Sequence, residues 1–224
     1  MINTHLRTSH SYRSKKTKDK TIIFDFDGVL ADSFEMFYLL ISQSMYIAGF
    51  TISRTQYRNL FLGNIHEEFK KFLKTDEKYK LFSNFRSSNY DRYYAYAKLF
   101  DEVVNFLQQI KENYFIAIAS SGKRDAIVKL LQKNRIKHYF DLICATDKMT
   151  KENMLMDIIS KSGNNSRETI MVTDTVGDLI VAKKMGIKTV AVTWGFHSAE
   201  TLKSAKPDYI ARNFKILRKQ LEII

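Results

Sequence analysis

Short apolar runs recur along this chain at residues 21–24, 114–119, 142–145, 169–173 and 188–192, with helical patterns between the later ones. The first, Thr21-Ile22-Ile23-Phe24, has too few polar interruptions for a half-exposed strand and suits one buried on both faces, as in parallel sheets. Parallel neighbours need crossover connections, and intervening helices supply them. The expected fold is α/β, a doubly wound parallel sheet with helices on both faces.

The rhythm breaks once. Positions 34–113 separate the first two runs without a convincing strand, far exceeding the roughly dozen residues of a single crossover. Phe34, Phe37, Ile41, Met45 and Ala48 share one helical face that stops at Gly49, and further helices are expected over 54–62, 65–73 and 77–97. A helix over 102–111, with Val103, Phe106, Leu107 and Ile110 inward, resumes the main domain. The expected organisation is a basic arm over 1–20, a core domain from 21–33 and 99–224, and a helical domain inserted over 34–98. That insert holds 16 of the 28 Phe and Tyr residues, which suits the core of a small bundle; a ring-stacking pocket for a nucleoside or sugar is the sharper use of them.

With 224 residues, 45% of them hydrophobic, the chain can bury a sizeable core, and no apolar run approaches the roughly 18 residues of a membrane span. A soluble protein with no membrane partner is expected. The single cysteine, Cys144, excludes an internal disulfide and a thiolate zinc site, and fits a reducing cytoplasm. Net charge is +12, of which the first 20 residues give +5, six basic residues against Asp19. Such a balance attracts anions without choosing among them, and no basic run in the folded part is dense enough to mark a nucleic-acid stripe. Ile2, Leu6 and Tyr12 make too poor a face for a transit peptide, so the arm is expected to be disordered.

Polar residues gather where these runs end, and in open α/β sheets ligands bind beyond the strand tips. Asp25-Phe26-Asp27-Gly28 puts two carboxylates on one side of an extended chain, fit for a nucleophile or a hard-cation ligand, with Gly28 permitting the turn. A calcium-type loop shares Asp-x-Asp-Gly, but the preceding strand and the apolar Val29-Leu30 are wrong for it. Ser120-Ser121-Gly122 offers hydroxyl and backbone donors to an anion, or simply a helix N-cap. Lys151, with Lys148 as rival, would neutralise charge at a carboxylate and phosphate site. Asp174 ends a fourth run and Asp178 opens the next helix, so that both can converge with the first pair. Carboxylates so gathered call for a positive partner, and magnesium, which seeks oxygen and bridges to phosphate, is the natural candidate.

Together these segments, above all DFDGVLADS, resemble the motif set of the haloacid dehalogenase superfamily of aspartate-nucleophile phosphohydrolases, over Thr21 to about Ile210. The resemblance implies a Rossmann-like core with a helical cap. It makes Asp25 the nucleophile that becomes an aspartyl phosphate, and Asp27 the acid that protonates the leaving oxygen and then activates water. It gives Ser120, Ser121, Gly122, Gly28 and Lys151 to the phosphoryl group. Magnesium falls to Asp25, the Asp27 backbone carbonyl and Asp174, with Asp178 ligating directly or through water. Phosphoryl transfer rests on positioning and charge neutralisation, and two-step hydrolysis needs an acid able to become a base, so the chemistry suits the residues. Thr173 stands where the family usually has glycine, Ser120 where threonine is commoner, and Glu152 where proline is frequent.

The insert resembles the cap of the phosphoglycolate phosphatase and β-phosphoglucomutase branch, a lid that excludes water while its loops choose the substrate. Asp27 argues against dehalogenases, which need no such proton donor, and no cap lysine is assignable to Schiff-base phosphonate cleavage. A small phosphorylated metabolite is the expected partner, for a monomer or homodimer. The rivals are a phosphomutase acting on a sugar phosphate, and a non-catalytic module that binds an anion or nucleic acid.

Overall fold

The computed structural model describes residues 18–224. The basic arm therefore lies almost wholly outside the described residues; at its end Lys18 pairs with Asp141 at 2.9 Å. The core is a six-stranded, wholly parallel sheet in the order β5-β4-β1-β6-β7-β8. Its strands are β1 (Thr21–Phe24), β4 (Phe115–Ser120), β5 (Leu142–Ala145), β6 (Thr169–Thr173), β7 (Lys188–Val192) and β8 (Tyr209–Ala211). β1 is central because both its neighbours are strands, and all four of its residues are fully buried.

Alternation along β1 explains the two helical layers. Ile22 and Phe24 pack with Phe106 and Leu107 of α5 (Val103–Ile110), Leu131 of α6 (Arg124–Lys133) and Leu217 of α10 (Phe214–Ile223). Ile23 points the other way, against Met154, Leu155 and Ile158 of α7 (Lys151–Ser162) and Ala182 of α8 (Val176–Lys184). The chain steps from β1 outward to β4 and β5, then returns across the sheet to β6. That reversal opens a crevice above the carboxyl ends of β1, β4 and β6.

Between β1 and β4 the chain leaves the sheet through the short strand β2 (Ala31–Asp32) and returns through β3 (Lys98–Leu99), which pairs antiparallel with it. This two-residue ribbon is too short to leave an alternation in the sequence, and no strand was expected there. The excursion is α1 (Phe34–Ile47), α2 (Arg54–Asn59) with a 3₁₀ turn (Leu60–Leu62), α3 (Ile65–Leu73) and α4 (Asp76–Tyr94). α1 stops at Gly49, whose φ of 85° lies in the left-handed region. α2 begins with a capping box between Ser53 and Gln56. Phe34, Ile41, Met45, Tyr57, Phe69 and Phe82 form a second core inside these helices. No described helix is long and apolar enough to cross a membrane.

Candidate active site

A cavity of about 520 Å³ lies between the sheet's carboxyl edge and the inserted helices, lined among others by Asp25, Asp27, Ser120, Lys151 and Asp178. Ser121 and Gly122 line it too. Each arrives on its own element: Asp25 and Asp27 follow β1, Ser120 ends β4, Lys151 opens α7, and Asp178 lies in the first turn of α8. The serines cap no helix. Ser120 Oγ accepts the Gly122 N–H at 3.0 Å, and α6 begins only after Lys123.

Lys151 sits at the electrostatic centre. Its Nζ lies 3.1 Å from Asp25 Oδ1 and 2.8 Å from Asp178 Oδ2, and donates to the Ala119 carbonyl at 2.8 Å. Its side chain and that of Asp25 are only 10% and 13% exposed, so the charges interact in a poorly solvated space. Burial opposes the lysine's charge, but Asp178 and Asp25 outweigh it and hold its pKa above the ordinary value. Lys148, the rival position, is exposed. Thr150 caps α7 by accepting the Asn153 N–H, which fixes where the lysine begins.

Asp25, Asp27 and Asp174 are pushed towards neutrality by their surroundings. Burial raises the Asp25 pKa well above the usual carboxylate range, Lys151 works against this, and Asp178, Asp174 and Asp27 add to it. Burial likewise lifts Asp27 to about 6, opposed by the nearby Ser33 hydroxyl, Lys151 and the Tyr94 hydroxyl. Asp174 is fully buried and lifted to about 7 by burial, despite the Phe196 N–H donated to its Oδ2 at 2.6 Å. Asp27 Oδ1 and Asp174 Oδ1 are buried with no hydrogen-bond partner.

Two expected residues stand off the cavity wall. Neither Asp174 nor Gly28, the latter expected to hold phosphate, lines it. Gly28 serves the turn instead: its φ is 79°, and a Cβ there or at Gly195 would collide with the Asp174 carboxylate. Among the described residues no three acidic, histidine or cysteine side chains converge closely enough to hold an ion. Lys151 takes oxygens of two of the aspartates, and Phe196 takes one of a third. The donor set nevertheless fits a hard cation, since it is all oxygen and includes the unpartnered, buried Asp174 Oδ1. Thr173 does not crowd the site: its hydroxyl donates to Asp178 Oδ2 at 3.4 Å and accepts the Thr175 N–H at 3.3 Å.

Other contributors left no sequence signal. Tyr90 and Tyr94 of α4 stack at 5.3 Å, and Tyr90 accepts the Lys123 N–H beside the serines. His197 Nδ1 accepts the Val176 N–H at 3.1 Å, so the hydrogen sits on Nε2, which bonds the Arg58 carbonyl at 2.9 Å. Arg58 in turn lies over the Phe34 ring and donates to the Phe196 carbonyl. Helix α2 is thereby tied to the loop after β7. Gly177 meets the insert too, because a Cβ there would stand 2.6 Å from the Gly63 carbonyl. Trp194, earlier in the same loop, packs on Phe214 and donates its indole N–H to the Val29 carbonyl.

A family model described as haloacid dehalogenase-like hydrolase matches residues 22–192. The chain belongs to that family, and with it is an enzyme. Pyrophosphatase PpaX from Bacillus mycoides is 25% identical over 203 residues, 86% of this chain and 92% of that protein. Phosphoglycolate phosphatase from Synechococcus elongatus is 27% identical over 195 residues, 85% and 92% of the two chains. The solved structure of a predicted phosphatase from Clostridium acetobutylicum superposes with a TM-score of 0.81 at 22% identity, covering 92% of this chain and 99% of that one.

Proposed function

We propose that this protein is a magnesium-dependent phosphatase that hydrolyses a small phosphorylated metabolite through an aspartyl phosphate on Asp25. The supporting observation is the ammonium of Lys151 held between Asp25 and Asp178 in a cavity that also receives Asp27 and Ser120. Lys151 favours the ionised nucleophile that burial would otherwise neutralise. Magnesium would be held by Asp25, the Asp27 carbonyl and Asp174, with Asp178 direct or through water, and when bound supplies charge neutralisation for the phosphoryl oxygens.

The chain's own residues then divide the work. Ser120, Ser121 and the Gly122 backbone orient the phosphoryl group, and an Asp25 oxygen attacks phosphorus as its bond to the leaving oxygen breaks. Asp27, whose raised pKa keeps a proton within reach, gives it to that oxygen. In the second step Asp27 takes a proton from water, whose oxygen attacks the aspartyl phosphate, freeing inorganic phosphate and Asp25. The inserted helices close over the site as a cap and keep bulk water from the first step. The test is inorganic phosphate release from a panel of phosphorylated metabolites with magnesium, beside Asp25→Asn. Release by the wild type and its loss in a folded variant is expected, whereas equal release by both removes the nucleophile assignment. Isomerised product in place of free phosphate would make the protein a phosphomutase.

A further inference from the structure

Much of the cavity is unlike what a phosphate needs. A phosphoryl group occupies only the end formed by the strand tips, whereas about 520 Å³ falls within the range of pockets that bury whole ring-bearing ligands. The remaining wall is largely aromatic and apolar: Phe37, Tyr57, Phe61 and Tyr90 from the inserted helices, and Phe196 from the core loop. Phe61 meets Tyr57 and Phe196 edge to face at 5.3 and 4.9 Å, so the wall is rigid rather than a loose surface. Leu62 from the inserted helices and Ile180 from α8, also on the lining, stay 41% and 39% exposed. Apolar side chains left in water around a concave site mark a surface that a ligand covers. One planar cation shares the lining. Arg86 of α4 has its guanidinium 5.8 Å from the Phe82 ring and no ion-pair partner among the described residues.

The geometry points to a substrate class: phosphate esters of primary alcohols that carry a planar ring bearing hydrogen-bond acceptors, with the ring held on the Phe61 and Leu62 side and met by Arg86. This rests on the phosphatase reading and narrows it. A guanidinium both stacks on a ring face and donates in its own plane, so Arg86 would distinguish a ring with acceptors from a plain hydrocarbon. Small wholly hydrophilic esters would leave the aromatic wall uncovered and gain nothing from it.

Two matched pairs isolate the ring from the ester chemistry: benzyl phosphate against ethyl phosphate, and adenosine 5′-monophosphate against ribose 5-phosphate. Calorimetric titration of each into Asp25→Asn protein with magnesium measures binding without turnover. At least tenfold tighter binding of adenosine 5′-monophosphate than of ribose 5-phosphate is expected, falling to within about threefold in both the Leu62→Ser and Arg86→Gln backgrounds, while benzyl phosphate, whose ring has no acceptor, should gain less over ethyl phosphate. Leu62 is exposed, so its replacement should not disturb folding. Equal binding in the nucleotide pair, a preference confined to benzyl phosphate, or a nucleotide preference that either variant retains, overturns the proposal. Phosphate release by the wild type from the same four esters is read separately: none from any of them removes the phosphatase reading, while binding still decides the ring.

Discussion

Lys151 shows how one residue decides the character of a site. Without its ammonium, Asp25 and Asp178 would face each other at short range in a poorly solvated cavity, and Asp25 would lose the one charge that offsets its burial. Lys151→Met should therefore lower stability by about 3–5 kcal/mol, the usual cost of leaving buried charge uncompensated. Turnover should fall roughly 10²–10³-fold, as when a single charge-stabilising donor is removed. Urea unfolding and steady-state rates check the two effects; unchanged stability would mean that the lysine is solvated rather than central. Asp25, Asp27 and Asp174 were legible as candidates in sequence because they sit at or just past the end of an apolar run, so that strand position and chemistry are read from the same few residues. Lys151 was legible only as one of two candidates, since nothing local separates it from Lys148. The geometry that separates them is a contact across 126 positions with Asp25.

At the scale of elements, the five apolar runs gave the central strands closely, because strands buried on both faces are written as continuous hydrophobic segments. β8 escaped notice: it is three residues at the sheet's edge, with too little burial to impose a pattern. The tie between insert and core was equally hidden. His197 meets the Arg58 carbonyl, and Arg58 the Phe196 carbonyl, across separations of 139 and 138 positions that no periodicity records. Replacing His197 by alanine removes that hydrogen bond and the acceptor for the Val176 N–H while leaving the sheet intact. Hydrogen exchange should then speed up at least tenfold over 54–62 with little change in β1. Uniform acceleration throughout the protein would show that His197 supports global stability rather than the position of α2.

For the whole molecule, the buried carboxylates couple stability to pH and to a cation. Asp27 and Asp174 have pKa values raised from 3.8 to about 6 and about 7. For a carboxyl group raised on folding, the stabilising contribution is complete below the unfolded value and is lost as pH climbs through the folded one. Without a divalent ion the protein should lose stability between about pH 4 and 7, and magnesium should restore it only where the carboxylates are ionised. The gain in Tm on adding magnesium after chelation should accordingly be larger at pH 7.5 than at pH 5; equal gains would detach the ion from these aspartates. The central claim is a phosphate carried transiently on Asp25. It is tested most directly by acid-quenching Asp27→Asn protein after incubation with acetyl phosphate and magnesium, then mapping hydroxylamine-sensitive phosphate by peptide mass spectrometry. The account predicts one phosphoryl group on Asp25, accumulating because the water-activating carboxylate is gone. Phosphate on another residue, or none while an Asp25→Asn variant still turns over, would contradict it.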